Sequence, residues 1–138
     1  MSEEFDWRGA ASPSLSDCEA LAMQAWNRLP AHFRKMCGDL VVRVEDFATD
    51  EILDEMGIDD SYDLMGLYQG VSLNNKSVGD VPRDPDMVFL YRRPMLDYWC
   101  EGEETLGDII THVLVHEIGH HFGFSDDDME QIETEATA

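Results

Sequence analysis

The chain has 138 residues, 43% hydrophobic and 28% charged, proportions that suit one globular domain over residues 1–138 with a single modest core. Thirty Asp and Glu against nine Lys and Arg leave a net charge of -21, which excludes nucleic-acid binding through phosphate contacts and repels an anionic membrane surface. No apolar run approaches a membrane span, and the acidic start lacks the basic and apolar regions of a secretory signal, so the expectation is a soluble cytoplasmic protein whose first ~11 residues are flexible.

In chain order, Ser16 and Glu19 form a capping-box pattern ahead of a first helix, with Cys18, Ala22, Ala25, Trp26 and Leu29 at helical spacing. Pro30 restarts a short helix that Gly38 ends. Leu40 to Phe47 alternates as a half-buried strand. A brief helix from about Asp50 to Met56 closes at Gly57, and Leu64 to Leu73 is a second strand. Asn74 to Pro85 carries the residues of a loop. Met87 to Tyr91 is a third strand, stopped by Arg92-Arg93-Pro94, and Pro94 suits the first turn of a helix with Met95, Leu96, Tyr98 and Trp99. With two further helices at the end, the order predicts an α+β fold with a short mixed sheet. Cys18, Cys37 and Cys100 are an odd count without CxxC spacing, and read as buried apolar residues rather than disulfide partners or zinc ligands.

From Pro94 onward there is no Lys or Arg, while twelve Asp or Glu and four of the five histidines fall there. Within that cation-attracting third, Leu106, Ile109, Ile110, Val113, Leu114 and Ile118 make one apolar helical stripe. Asp108, His112, His116 and His120 follow at four-residue steps on the opposite face. His116-Glu117-Ile118-Gly119-His120 is HExxH: two imidazoles one turn apart can share a Zn²⁺, and the Glu beside the first can reach water on that metal. Gly123 ends the helix, Phe124 supplies the apolar contact of such a cap, and Ser125 with Asp128 starts another helix. Asp126 then returns a carboxylate towards the metal, completing HExxHxxGxxD. Two histidines and a carboxylate leave zinc an open position, the catalytic arrangement, although the same donor set also suits iron(II).

Alternatives for the third ligand are Glu130 and Glu133 on the last helix. His112 shares the ligand face, but a fourth protein ligand would close the site, so a cleft-lining or outer role suits it better. His121 points away and reads as a packed histidine. Asp108, Asp127 and Asp128 are candidates to accept the free N–H of a ligating imidazole, and Tyr68 or Tyr91 to stabilise an oxyanion.

The string HEIGHHFGFSDDD resembles the bacterial minimal zincins, as do Leu67-Tyr68-Gln69-Gly70 and Phe89-Leu90-Tyr91-Arg92-Arg93-Pro94. The likeness covers the chain from about Ser12 to Glu133. It implies a zincin-like α+β domain with a short sheet over the active-site helix, His116, His120 and Asp126 as zinc ligands, and Glu117 as catalytic acid/base. Unlike the larger metzincins, the chain has no room for a separate methionine turn: only twelve residues follow Asp126.

The leading expectation is a zinc metallopeptidase with one Zn²⁺ per chain. Glu117 takes a proton from the attacking water and passes it to the leaving amine. Its substrate is a peptide or protein, preferably basic, extended along an exposed sheet edge for which Met87 to Tyr91 is the candidate. The competing expectation, prompted by the small size, is a metal- or peptide-binding module that acts as adaptor or regulator without efficient turnover. A nucleic-acid-mimicking acidic decoy is suggested by charge alone.

Overall fold

The computed structural model describes residues 5–70 and 86–138. Expectations for the first four residues, for 71–73 of the second strand and for the loop up to Pro85 lie outside them. Helix α1 spans Leu15–Arg28, α2 Ala31–Cys37, strand β1 Val41–Glu45, α3 Asp50–Met56, β2 Gly66–Gln69, β3 Met87–Tyr91, α4 Arg92–Glu101, α5 Leu106–Phe122 and α6 Asp126–Thr137. This is the α+β order that the sequence predicts.

Helix α1 starts two residues earlier than expected. Ser14, not Ser16, accepts the Asp17 N–H, and the Asp17 carboxylate accepts the Ser14 N–H at 2.8 Å. Both sites carry a hydroxyl three residues before an acid, so the local pattern alone does not choose between them. Gly57 closes α3 at φ 69° and Gly123 closes α5 at φ 76°, conformations that cost a side chain about 1 kcal/mol or more. At Gly123 the Phe124 N–H reaches the Gly119 carbonyl at 2.8 Å and the Gly123 N–H the His120 carbonyl, the paired bonds of a Schellman ending. Arg92 and Arg93 open α4 instead of merely stopping β3, which puts Pro94 third in that helix. Arg92 donates to the Pro13 carbonyl, Ser12 Oγ and Asp46 Oδ1, tying the segment before α1 to the turn after β1.

The sheet has the order β1-β3-β2, with β1 parallel and β2 antiparallel to β3. Met87–Tyr91 is therefore the central strand, not the exposed edge expected of it. Its five apolar residues, with Val88 and Leu90 buried in the main core and Tyr91 buried on the opposite face in a second cluster, fit a strand covered on both sides. The edge nearest the motif helix is β2.

Helix α5 packs against α1, α4, α6, β2 and β3. This buries Thr111 and Val115 as well as the expected stripe, and leaves the line Asp108, His112, His116, His120 as its open face. The main core joins α5 to Cys18, Ala22, Ala25 and Phe33 on the first two helices, Val88 and Leu90 on β3, and Met129 and Ile132 on α6. Cys18 and Cys37 are buried as expected, but Cys100 is exposed on α4. Among the described residues no helix is long and apolar enough to cross a membrane.

Candidate metal centre

Three histidines climb the open face of α5. The rings of His112 and His116 lie 4.0 Å apart and those of His116 and His120 5.6 Å apart, the latter nearly perpendicular. Helix α6 returns alongside because Gly119 has no side chain: a Cβ there would collide with Met129 Sδ and lie 2.7 Å from Met129 Cγ. The fully buried Met129 fills that gap and draws α6 against α5. On α6, Asp126 and Glu133 are seven residues apart and so share a face.

Glu133 is the carboxylate already engaged. One oxygen lies 2.5 Å from His112 Nδ1 and the other 3.6 Å from His116 Nε2. His112, His116 and Glu133 form a cluster whose ligand atoms all lie within 4.8 Å of one another. His120 and Asp126 stand outside that cluster, and both are exposed. Asp126 is nonetheless near enough that its charge acts on His116.

The donors suit a divalent ion. Burial and the neighbouring His112 hold the His116 imidazole below its ordinary pKa, against the opposing pull of Glu133 and Asp126. A neutral imidazole is the form that binds a metal. The mixture of nitrogen and carboxylate oxygen matches zinc and its close competitors.

Glu117 points the other way, beneath β2. A Cβ on Gly66 would lie 3.2 Å from Glu117 Cγ. The Tyr68 backbone N–H lies close enough to favour the charged form of the Glu117 carboxylate. This follows from register. Tyr91 N–H bonds the Met65 carbonyl, so Gly66 with Leu90 and Tyr68 with Val88 are the non-hydrogen-bonded pairs, and their backbone groups face the side of β2 away from β3. Burial raises the Glu117 carboxyl above the ordinary carboxylate range, with the charge on His120 and the Tyr68 N–H opposing.

Other candidates have different employment. His121 stacks on Tyr68 at 3.9 Å between centroids, the packed histidine that the sequence suggested. Tyr68 donates its hydroxyl to Asp86 Oδ2 at 2.8 Å, and the Tyr91 hydroxyl is buried with no hydrogen-bond partner among the described residues. Asp128 closes the capping box of α6 with Ser125. The sequence offers Glu133 as a rival third ligand and His112 as a fourth ligand or, better suited, a cleft-lining or outer residue. Their pairing spans 21 residues, and the one available signal was the shared face of Asp126 and Glu133.

A family model described as "Zincin-like metallopeptidase" matches residues 37–136, nearly three quarters of the chain. No curated protein matches it.

Proposed function

This chain belongs to the zincin-like metallopeptidase family, and we propose that it is a zinc-dependent peptidase holding one Zn²⁺ through His116, His120 and Asp126, with Glu117 as proton carrier. Zinc, when bound, supplies a Lewis acid that polarises a peptide carbonyl and acidifies water. Glu117 accepts the proton of the attacking water and returns it to the leaving amine. A carboxyl whose burial increases its hold on a proton suits both halves of that exchange.

The substrate backbone lies extended along the open side of β2, where Gly66 and Tyr68 direct their peptide groups. This replaces β3 as the docking strand. The -21 charge favours the approach of basic peptides. The observation that carries the reading is the meeting of Glu117 with the β2 edge: the base of HExxH lies beside the strand that can hold a peptide.

The test is Glu117→Gln, which keeps size but removes the proton carrier. Zinc content by elemental analysis should be unchanged, while hydrolysis of a sequence selected from a peptide library should fall by about 10²–10⁴. Asp126→Ala should instead lower zinc affinity. Native-rate hydrolysis by the Gln variant would remove Glu117 from the mechanism. Zinc and peptide binding without turnover by the native chain would select the adaptor reading.

A further inference from the structure

We infer that α5 and α6 carry a second divalent-metal site, His112, His116 and Glu133, which overlaps the first at His116, so that one ion occupies either of two positions along the same helix face. The inference rests on the reading of His116 as a ligand and adds a rival destination for the metal.

Repetition provides the first argument. His112, His116 and His120 form two successive i, i+4 pairs, each able to present two imidazoles to one ion. A four-residue step on a helix is about 6 Å, so the two ion positions are separate places. Helix α6 offers each pair a carboxylate: Asp126, at its start, faces the later pair, and Glu133, two turns on, faces the earlier one.

Distance provides the second. Around tetrahedral zinc with ligands at about 2.0–2.1 Å, donor atoms stand about 3.3 Å apart. Glu133 lies 3.6 Å from His116 Nε2 and 2.5 Å from His112 Nδ1. The first already fits, and the second opens by under about 1 Å when the proton between the two groups gives way to a metal. Side-chain exposures of 51% for His112, 27% for His116 and 20% for Glu133 leave solvent access to the cluster.

Sharing sets the behaviour. A His116 nitrogen serves one ion at a time, so the chain binds one equivalent, and the partition between positions does not depend on metal concentration. An ion on His112 and Glu133 is displaced by about a helical turn from the pair that brackets Glu117, and hydrolysis is suppressed in that fraction. The second site is a parking position, and Glu133 sets how much metal waits there.

Co²⁺ titration of the purified chain, followed by its d–d absorption and zinc back-titration, tests this without using activity, with circular dichroism confirming the fold of each variant. The native chain should bind one equivalent. His120→Ala and His112→Ala should each still bind one, with spectra that differ from each other and from the native spectrum. The double variant should lose affinity by about 10–100-fold or more relative to either, as removal of even an outer partner costs that much. Glu133→Gln should shift the native spectrum towards that of His112→Ala and raise peptide hydrolysis. Loss of binding in His120→Ala together with an unaltered His112→Ala spectrum would overturn the second site and leave the proposed ligands standing, and two equivalents in the native chain would overturn the sharing of His116. Loss of binding in His112→Ala with an unaltered His120→Ala spectrum would overturn both, and so would absence of binding by the native chain.

Discussion

Gly66 is glycine because β2 crosses α5 with no space between them. A Cβ at that position would stand 2.6 Å from Val113 Cγ1 and 3.2 Å from both Glu117 Cγ and the Phe89 carbonyl oxygen. Gly66→Ala should therefore cost about 1–3 kcal/mol, the usual penalty for overpacking, and displace Glu117 from the β2 edge. Adding Val113→Ala should recover part of the loss, because it removes the tightest neighbour. A double-mutant cycle from urea midpoints measures the coupling, and strictly additive losses would count against the close approach. The thiols give a second single-residue test. Cys18 is fully buried, and Cys37 is buried with its thiol donated to the Phe33 carbonyl at 3.3 Å, while Cys100 is exposed. Ellman titration at pH 8 should find one fast thiol in the native chain and three after denaturation. Cys100→Ser should abolish the fast phase.

Between elements, the contact that matters most for chemistry is α5 with α6. Gly119 admits Met129, and this closeness brings both Asp126 and Glu133 alongside the histidine ladder. Gly119→Ala should push α6 outward, lowering stability by about 1–3 kcal/mol and weakening Co²⁺ binding as well, although residue 119 donates nothing to a metal. Unchanged metal affinity in a destabilised variant would separate the glycine's packing from the site. The same contrast explains what could be read from the amino-acid order. Gly57, Gly123, Pro30 and Gly38 punctuate helices through their own backbone preferences, and HExxH specifies its ligands within one turn, so those elements and His116, Glu117 and His120 were legible as candidates. The central position of β3 was not, because strand order depends on partners far along the chain. Its unbroken apolar run, Met87 to Tyr91, was the sign of two-sided burial. The join of His112 to Glu133 was equally hidden, since it needs the α5 to α6 turn to be folded first. The start of α1 failed for a different reason: two hydroxyl-to-acid pairs compete within six residues, and Ser14 with Asp17 prevails.

At the scale of the whole molecule, two electrostatic effects act on stability, and they are separable. The first is self-repulsion from a net charge of -21, concentrated by a cation-free final third and relieved by any bound cation. Zinc at about 100 times its dissociation constant should add about 2.7 kcal/mol, or about 10 °C in melting temperature for a domain of this size; chelation should reverse it. Added NaCl should also raise the melting temperature of the chelated chain by screening the repulsion. The second effect is burial of groups that ionise at alkaline pH. Burial pushes the Cys37 thiol up to about 11 and the Tyr91 hydroxyl up to about 12, and burial with the Asp86 hydrogen bond raises Tyr68 further still. Unfolded, these groups titrate near about 8.5 for Cys and 10 for Tyr. Because their folded pKa values are raised, the stability they contribute is complete below the unfolded values and is lost as pH climbs through the folded ones. Stability should thus hold to about pH 8.5 and then fall towards pH 11–12. Alkaline pH also increases the negative charge, so the two effects run together in dilute buffer. In about 0.5 M NaCl the Debye length shrinks to about 4 Å, surface repulsion fades, and the slope that remains belongs to the buried groups. Cys37→Ala should make that remaining slope shallower between about pH 8.5 and 11. Urea midpoints taken across this range at high salt decide it: a slope that vanishes with salt would assign the alkaline loss wholly to surface charge, and a salt-resistant slope untouched by Cys37→Ala would move it from the thiol to the tyrosines.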